Sequence, residues 1–371
     1  MSNISIQILP GIKDLLFHGL ERHDNTIFMQ DEQHLFLSRS CFAIEIICRN
    51  AYRKLKRPVN IWIPQYFCGE TLNPLRKKDE YKLFFYPITD ALLPDYNAMK
   101  QMIESERPDV FLFVHYFGNY LDVLGARNFC DEQKCVLIED CAHVLYEDSH
   151  FGMVGDYSVF SPHKCFSIAD GSVLCINKTD SIGTDDIAYI NEVVGSLPRK
   201  DSRKQYVKNV IKKLMVIRSH STYTCKEHYD EYGDPEESSK ISKLSMRKLD
   251  AETSDKVSHY KEIRHRNLQS IKQIVVDAHL PVRLLNNEST NDIPYMCVLE
   301  IMDEKMADKV KGVLSGAGLP MGVWTYIPFE LRNEDAVVAK RLSKMCFTIP
   351  LHQGISENEY RIAAKVYKGE E

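Results

Sequence analysis

The chain has 371 residues, 44% of them hydrophobic and 27% charged, and a net charge of -5. That length suits one large domain and a smaller one around a sizeable core, and the composition is ordinary for a globular protein. The mild negative balance argues against a general nucleic-acid binder, and no uncharged apolar run reaches the ~18 residues of a transmembrane helix.

The N-terminal stretch MSNISIQILPGIKDLL lacks a basic region followed by a long apolar one, so no secretory signal is expected. The 11 cysteines then read as reduced, mostly buried thiols of a cytoplasmic protein. Cys130, Cys135 and Cys141 form no C-x-x-C knuckle, and no metal is expected. Residues 41–57 show apolar positions at helical spacing and a basic last turn before Pro58. Residues 59–64 and 82–86 read as strands, 97–106 as a helix, and 110–114 as a strand. A helix over 123–134, a strand over 136–138, and strands over 157–160 and 172–176 follow. Residues 196–265 are rich in Lys, Arg, Ser and Glu and give no clear pattern. Beyond Pro294 a strand (295–301), a helix (303–318), a strand (345–351) and a terminal helix (356–368) are predicted. The last opens on a Ser-x-x-Glu capping-box signature. Strands alternating with helices, without polar alternation, argue for an α/β fold with a mostly parallel sheet between helices. In such sheets ligands bind beyond the carboxyl ends of the strands. Tyr66, His115 and Asp140 follow predicted strands and are expected to share that crevice.

Residues 136–176 read VLIEDCAHVLYEDSHFGMVGDYSVFSPHKCFSIADGSVLCI. An apolar run ends in Glu139-Asp140, and a second is followed by His163-Lys164 in a loop closed by Asp170-Gly171. A carboxylate after one strand and a lysine after the next are what pyridoxal phosphate chemistry needs. The acid keeps the pyridine nitrogen protonated, and the amine carries the cofactor as a Schiff base. Each has a plainer reading as well: Asp140 as a helix N-cap, Lys164 as a solvated loop lysine.

The segments FLSRSCFAIEIICRNA, IWIPQYFCGET, VHYFGNYLD, IEDCAH, GDYSVFSPHK and TIPLHQGISENE, in this order, resemble the DegT/DnrJ/EryC1/StrS family of sugar aminotransferases in the aspartate-aminotransferase superfamily. The resemblance implies fold type I, a three-layer α/β/α sandwich with a mostly parallel sheet and a small C-terminal α+β domain. The division expected is a cofactor-binding domain over residues 1–245 and the small domain over 246–371. It implies pyridoxal 5′-phosphate as cofactor, with Lys164 and Asp140 catalytic and His143 bonded to the cofactor's phenolic oxygen. Ser40 and Cys41, with Ser38, match the phosphate turn, where the family usually has a glycine and this chain has Arg39-Ser40; N-capping by Ser38 or Ser40 competes. Ser161, three residues before the lysine, is preferred over Ser158 as a second phosphate contact. Tyr66 or Phe67 stacks on the ring or packs in the core. His115 and Asn119 shape the pocket, and Asp156 supports the loop before the lysine. Arg199, Lys200, Arg203 and Lys204 form a solvated basic face or reach a substrate phosphate in a neighbouring subunit. The reaction implied is amino transfer from an amino-acid donor, glutamate, to a keto sugar, nucleotide-linked, by a homodimer that engages no nucleic acid and no membrane. The alternatives are a pyridoxal-dependent sugar dehydratase, which has histidine in place of the lysine, an aminotransferase of a non-nucleotide ketone, and a non-catalytic relative with a binding role.

Overall fold

The structure, a computed structural model, describes residues 7–10, 26–146, 150–177, 181–214, 221–231, 233–234, 236–286, 292–356 and 359. Seven strands form the main sheet: β1 (His34–Leu37), β2 (Val59–Pro64), β3 (Tyr81–Tyr86), β4 (Val110–Val114), β5 (Val136–Cys141), β6 (Tyr157–Phe160) and β7 (Ser172–Ile176). Their order is β1-β7-β6-β5-β4-β2-β3. β3, β2, β4, β5 and β6 run parallel, β7 is antiparallel to β6, and β1 antiparallel to β7. β4, β6 and β7 are buried along their whole length, which is why their sequences show no polar alternation.

Parallel neighbours require crossover connections; helices lie between β2 and β3, β3 and β4, and β4 and β5, whereas among the described residues none lies between β5 and β6. α1 (Ser40–Leu55), α2 (Asn73–Arg76), α3 (Tyr96–Ser105) and α4 (Val123–Gln133) alternate with the strands. α1 is apolar around most of its circumference, burying Phe42, Ile44, Ile46, Ile47 and Cys48 among others, as a core helix must. It stops at Lys56, which takes the left-handed conformation (φ 56°) and bonds back to the Tyr52 carbonyl; Pro58 cannot extend it. The single turn α5 (Pro162–Cys165) and α6 (Thr184–Ser196) complete this part.

Most elements fall where the sequence places them, with informative differences. β5 runs to Cys141 rather than stopping at 138, because Asp140 and Cys141 stay paired with Val159 and Phe160 of β6. β1 was not anticipated. The unassigned stretch holds α7 (Arg203–Leu214), α8 (Lys243–Asp250) and the first half of α9 (Ser254–Asp277). A second, antiparallel sheet consists of β8 (Val282–Leu284), β9 (Met296–Ile301) and β10 (Cys346–Pro350), in the order β10-β9-β8. With α10 (Ala307–Gly316) and α11 (Val337–Met345), it completes the architecture. Leu268, Ile271, Val310, Leu314, Phe347 and Ile349 form a second apolar cluster there. The expected terminal helix lies outside the described residues except at its start. There Ser356 donates its N–H and its hydroxyl to Glu359 at 2.7 and 2.9 Å. Among the described residues no helix is long and apolar enough to cross a membrane.

Candidate active site

β2, β4, β5 and β6 are parallel, so their carboxyl ends open on one edge of the sheet. A small cavity lies there, lined by Ser40, Phe67, Cys68, Thr71, Val114, Asp140, Ala142, His143, Lys164 and Trp324. Of the residues singled out from sequence, the cavity gathers Ser40, Phe67, Asp140, His143 and Lys164. Cys41, one residue further into α1, does not line it, and burial pushes its thiol up to about 12. Tyr66 lies behind the lining, fully buried under the Trp324 ring at 4.5 Å. His115 is also fully buried away from the cavity, so the expected convergence of Tyr66, His115 and Asp140 holds for Asp140 alone.

Asp140 is buried, and its Oδ1 accepts the Ala142 N–H at 2.8 Å. Burial raises its pKa above the usual carboxylate value, opposed by the Lys164 charge, the Ala142 bond and His115. A cation brought against it would relieve that cost. Lys164 stands on α5, half-buried, and its amine has no hydrogen bond or ion pair among the described residues. The turn that carries it is held from outside. The Cys165 carbonyl accepts from Gln353 Nε2 at 2.9 Å and from Arg264 Nη2 at 3.4 Å. The buried Arg264 guanidinium also donates to Gln353 Oε1 (2.9 and 3.2 Å) and to the Pro294 and Tyr295 carbonyls (3.2 Å each). The loop after Lys164 is tied down by Asp170, which accepts from the Ser242 N–H (2.7 Å) and the Ser242 and Ser245 hydroxyls (2.7 and 2.6 Å) where α8 begins. His163 donates its Nδ1–H to the Gly171 carbonyl at 2.8 Å, and burial lowers its pKa to about 4. It is a neutral prop of the loop.

His143 sits between the flat faces of Tyr295 (4.7 Å, 7°) and Phe117 (5.8 Å, 8°). Burial, with the Lys164 charge beside it, holds its pKa well below the usual histidine range. The imidazole is therefore neutral. Its Nδ1 lies 3.1 Å from the Phe117 amide and its Nε2 3.2 Å from Trp324 Nε1.

The start of α1 carries no side-chain cap: Arg39 occupies the N-cap, and the first turn has no acidic residue. Neither serine caps it. Ser38 bonds Ser239 instead, hydroxyl to hydroxyl and amide to carbonyl, both at 2.8 Å, and Ser40 is inside the helix. The open N–H groups and the positive end of the helix dipole suit a phosphate dianion. Ser161 has a fully buried hydroxyl without a partner, three residues before Lys164; Ser158 has one too. An unpaired amine, a buried acid in the same cavity, an uncapped helix start and an orphaned hydroxyl fit pyridoxal phosphate.

Glu139, beside Asp140, points elsewhere. It accepts from His115 Nε2 (2.8 Å) and from the Gly152, Val154 and Gly155 amides (3.2, 2.7 and 2.6 Å). Burial raises its pKa, but the His115 bond and those amides win, and the net shift is downward. His115, Glu139 and Cys141 are close enough to hold a metal ion, yet the glutamate oxygens are already taken up by donors. Asp156 does not support the lysine loop as expected. It accepts the Leu137 N–H at 2.7 Å at the start of β5, the opposite end of the sheet. Asn119 donates to the Leu285 carbonyl at 3.0 Å. In the basic segment Arg199 donates to the Ile241 carbonyl, Lys200 pairs with Glu236 and Arg203 with Asp201.

Sequence reasoning missed Trp324, Thr71 and Arg264. The one signal for Arg264 is a charge on the apolar stripe Val257, Leu268, Ile271, Ile274 of α9.

A mostly parallel sheet in this order, with a lysine and an acid sharing the cavity at its carboxyl edge, defines a pyridoxal-phosphate-dependent transferase of fold type I. The chain belongs to the DegT/DnrJ/EryC1/StrS aminotransferase family, whose model matches residues 81–367. It is thus a pyridoxal-phosphate-dependent enzyme of a sugar aminotransferase and dehydratase family. No curated protein sequence matches it. Among solved structures, the aminotransferase TlmJ from Streptoalloteichus hindustanus shares the fold at 16% identity and a TM-score of 0.65, over 91% of this chain and 86% of that one. PseC from Helicobacter pylori, an aminotransferase involved in the biosynthesis of pseudoaminic acid, does so at 14% and 0.61, over 94% and 93%. GDP-4-keto-6-deoxy-D-mannose-3-dehydratase from E. coli, with bound hydrated pyridoxal phosphate, does so at 15% and 0.63, over 90% and 87%.

Proposed function

We propose that this enzyme moves an amino group from an amino-acid donor, glutamate, to the ketone of a nucleotide-linked sugar, acting as a homodimer. The observation that carries the reading is the unpaired amine of Lys164 in the same cavity as the buried carboxylate of Asp140. Bound pyridoxal phosphate supplies an electron sink for the pair left when a proton leaves the carbon bearing the nitrogen. Lys164 would hold the cofactor through its amine and, when that amine is free, would move the proton to and from the substrate carbon. Asp140 keeps a proton on the pyridine nitrogen, and the relief of its buried charge favours that contact. Neutral His143 donates toward the phenolic oxygen. The start of α1 and the Ser161 hydroxyl would hold the phosphate, and Phe67 would pack against the ring. Over both halves of the cycle the donor's α-carbon becomes a ketone and the sugar's ketone becomes an amine.

Lysine rather than histidine at position 164 favours amino transfer over sugar dehydration. The nucleotide link is supported by two further structures of this fold, DesI, determined in the presence of its TDP-sugar product, and a mutant of the GDP-4-keto-6-deoxymannose-3-dehydratase ColD, with bound GDP-perosamine. The test is uptake of pyridoxal phosphate by the purified chain, borohydride reduction and peptide mapping, then glutamate-dependent amination of a panel of free and nucleotide-linked keto sugars. A pyridoxyl label on Lys164 and an amino-sugar product are expected. A label elsewhere, or a chain that takes up no cofactor, overturns the reading.

A further inference from the structure

The surroundings of His143 contain one donor too many. The Phe117 amide points at Nδ1 from 3.1 Å, and the Trp324 indole N–H points at Nε2 from 3.2 Å. A neutral imidazole carries one ring proton, so only one of its nitrogens accepts; an indole nitrogen only donates. Protonating the ring makes matters worse, and burial disfavours it.

The backbone decides which nitrogen accepts. Phe117 is held at φ 62°, in the left-handed region, and its carbonyl accepts the Tyr295 N–H at 2.8 Å. Turning the imidazole over would leave the buried Phe117 amide without an acceptor. Nδ1 therefore accepts from Phe117, and the ring proton sits on Nε2, directed at Trp324. Trp324 is itself held, its ring 4.5 Å from that of Tyr66 and 5.7 Å from that of Tyr116. Two N–H donors meet nose to nose in the wall of the cavity that contains Lys164 and Asp140. What the pair lacks is an anionic acceptor.

We propose that Trp324 is a second cofactor-binding donor which, with His143, closes on the phenolic oxygen of bound pyridoxal phosphate. This rests on the cofactor reading above and adds a residue to it. An oxygen between the two nitrogens accepts both protons, so a repulsive contact becomes two charge-assisted hydrogen bonds. Cofactor entry must widen the gap between His143 and Trp324.

The experiment compares pyridoxal phosphate with its 3-O-methyl ether, which retains the aldehyde and phosphate but not the anionic oxygen. Both are titrated onto the intact chain and onto Trp324→Phe, which keeps an aromatic ring and loses the N–H. The intact chain should prefer the free phenol. Trp324→Phe should bind it about 10- to 100-fold more weakly while holding the ether as before. Equal losses for both compounds, or none, overturn the proposal. A measurement independent of the variant's folding uses nitrogen-15-labelled indoles. The chain has 2 tryptophans, and Trp62 is fully buried in the core. The Trp324 N–H signal should move downfield with pyridoxal phosphate and not with the ether; an unmoved signal, or the same movement with both, overturns it. A wild-type chain that takes up no pyridoxal phosphate overturns the cofactor reading and this proposal together, whereas uptake with equal affinity for the ether removes this proposal alone.

Discussion

Replacing Arg264 by methionine tests whether the lysine turn is held from outside. The guanidinium is fully buried and faces carbonyls and an amide oxygen rather than a carboxylate. Methionine fills much of the space and supplies no donor. The Pro294 and Tyr295 carbonyls and Gln353 Oε1 then lose their Arg264 bonds, while the Cys165 carbonyl keeps Gln353. Three buried or part-buried acceptors at about 1–1.5 kcal/mol each come to about 3–4.5 kcal/mol, less the relief of no longer burying a cation, so about 3 kcal/mol of destabilisation is expected. Gln353→Leu should cost about 1 kcal/mol, because Arg264 keeps its bonds to the carbonyls of Pro294, Tyr295 and Cys165. Urea unfolding of the cofactor-free chains measures both. An Arg264→Met chain within 1 kcal/mol of wild type, or a Gln353→Leu chain less stable than it, would refute the clamp.

Asp140→Asn should lower amino transfer on the order of 10²–10³-fold and, without cofactor, make the protein more stable at neutral pH. Its carboxyl pKa is raised in the fold by burial, so the cost of ionising it is absent below the unfolded value of 3.8 and complete above the folded one; stability curves of the two chains should converge as pH falls through that window. Glu139→Gln should show the opposite trend. Its pKa is lowered in the fold, so its contribution is present above 4.5 and disappears as pH falls through the folded value. Thermal melts at pH 7 should show a loss of about 2–4 kcal/mol, since the amide group would meet donors. Ser161→Ala should leave the stability of the cofactor-free chain unchanged or slightly increased, because its buried hydroxyl has no partner to lose. It should weaken pyridoxal phosphate binding about 10-fold in a titration and leave pyridoxal, which lacks the phosphate, unaffected.

The parallel strands were legible because burial on both faces removes polar residues, as in the VFLFV of β4 and the SVLCI of β7. Asp140 and Lys164 were legible for a related reason, since both close apolar runs that end on the same edge. β1 was not, because four residues with alternating half-burial, beginning at His34, do not stand out. Asp156 was misplaced because it is near the lysine in sequence, yet β6 carries the chain across the sheet between the two. Trp324 and Arg264 are a different case. The first meets His143 across 181 positions and the second meets Cys165 across 99, and pairings at that distance leave no local pattern. The half-open start of α1 was anticipated in place but not in chemistry, because Ser38 turns to Ser239.

Adjacent positions on a strand face opposite ways, and β5 uses this to give two neighbouring acids separate tasks. One lines the cavity that contains Lys164; its neighbour braces the glycine-rich loop behind. A slip of one residue along β5 would exchange them, sending the longer side chain to the front and leaving the shorter one to reach four donors meant for a glutamate. An inserted residue upstream in this strand should therefore abolish amino transfer while leaving every side chain of the original sequence present.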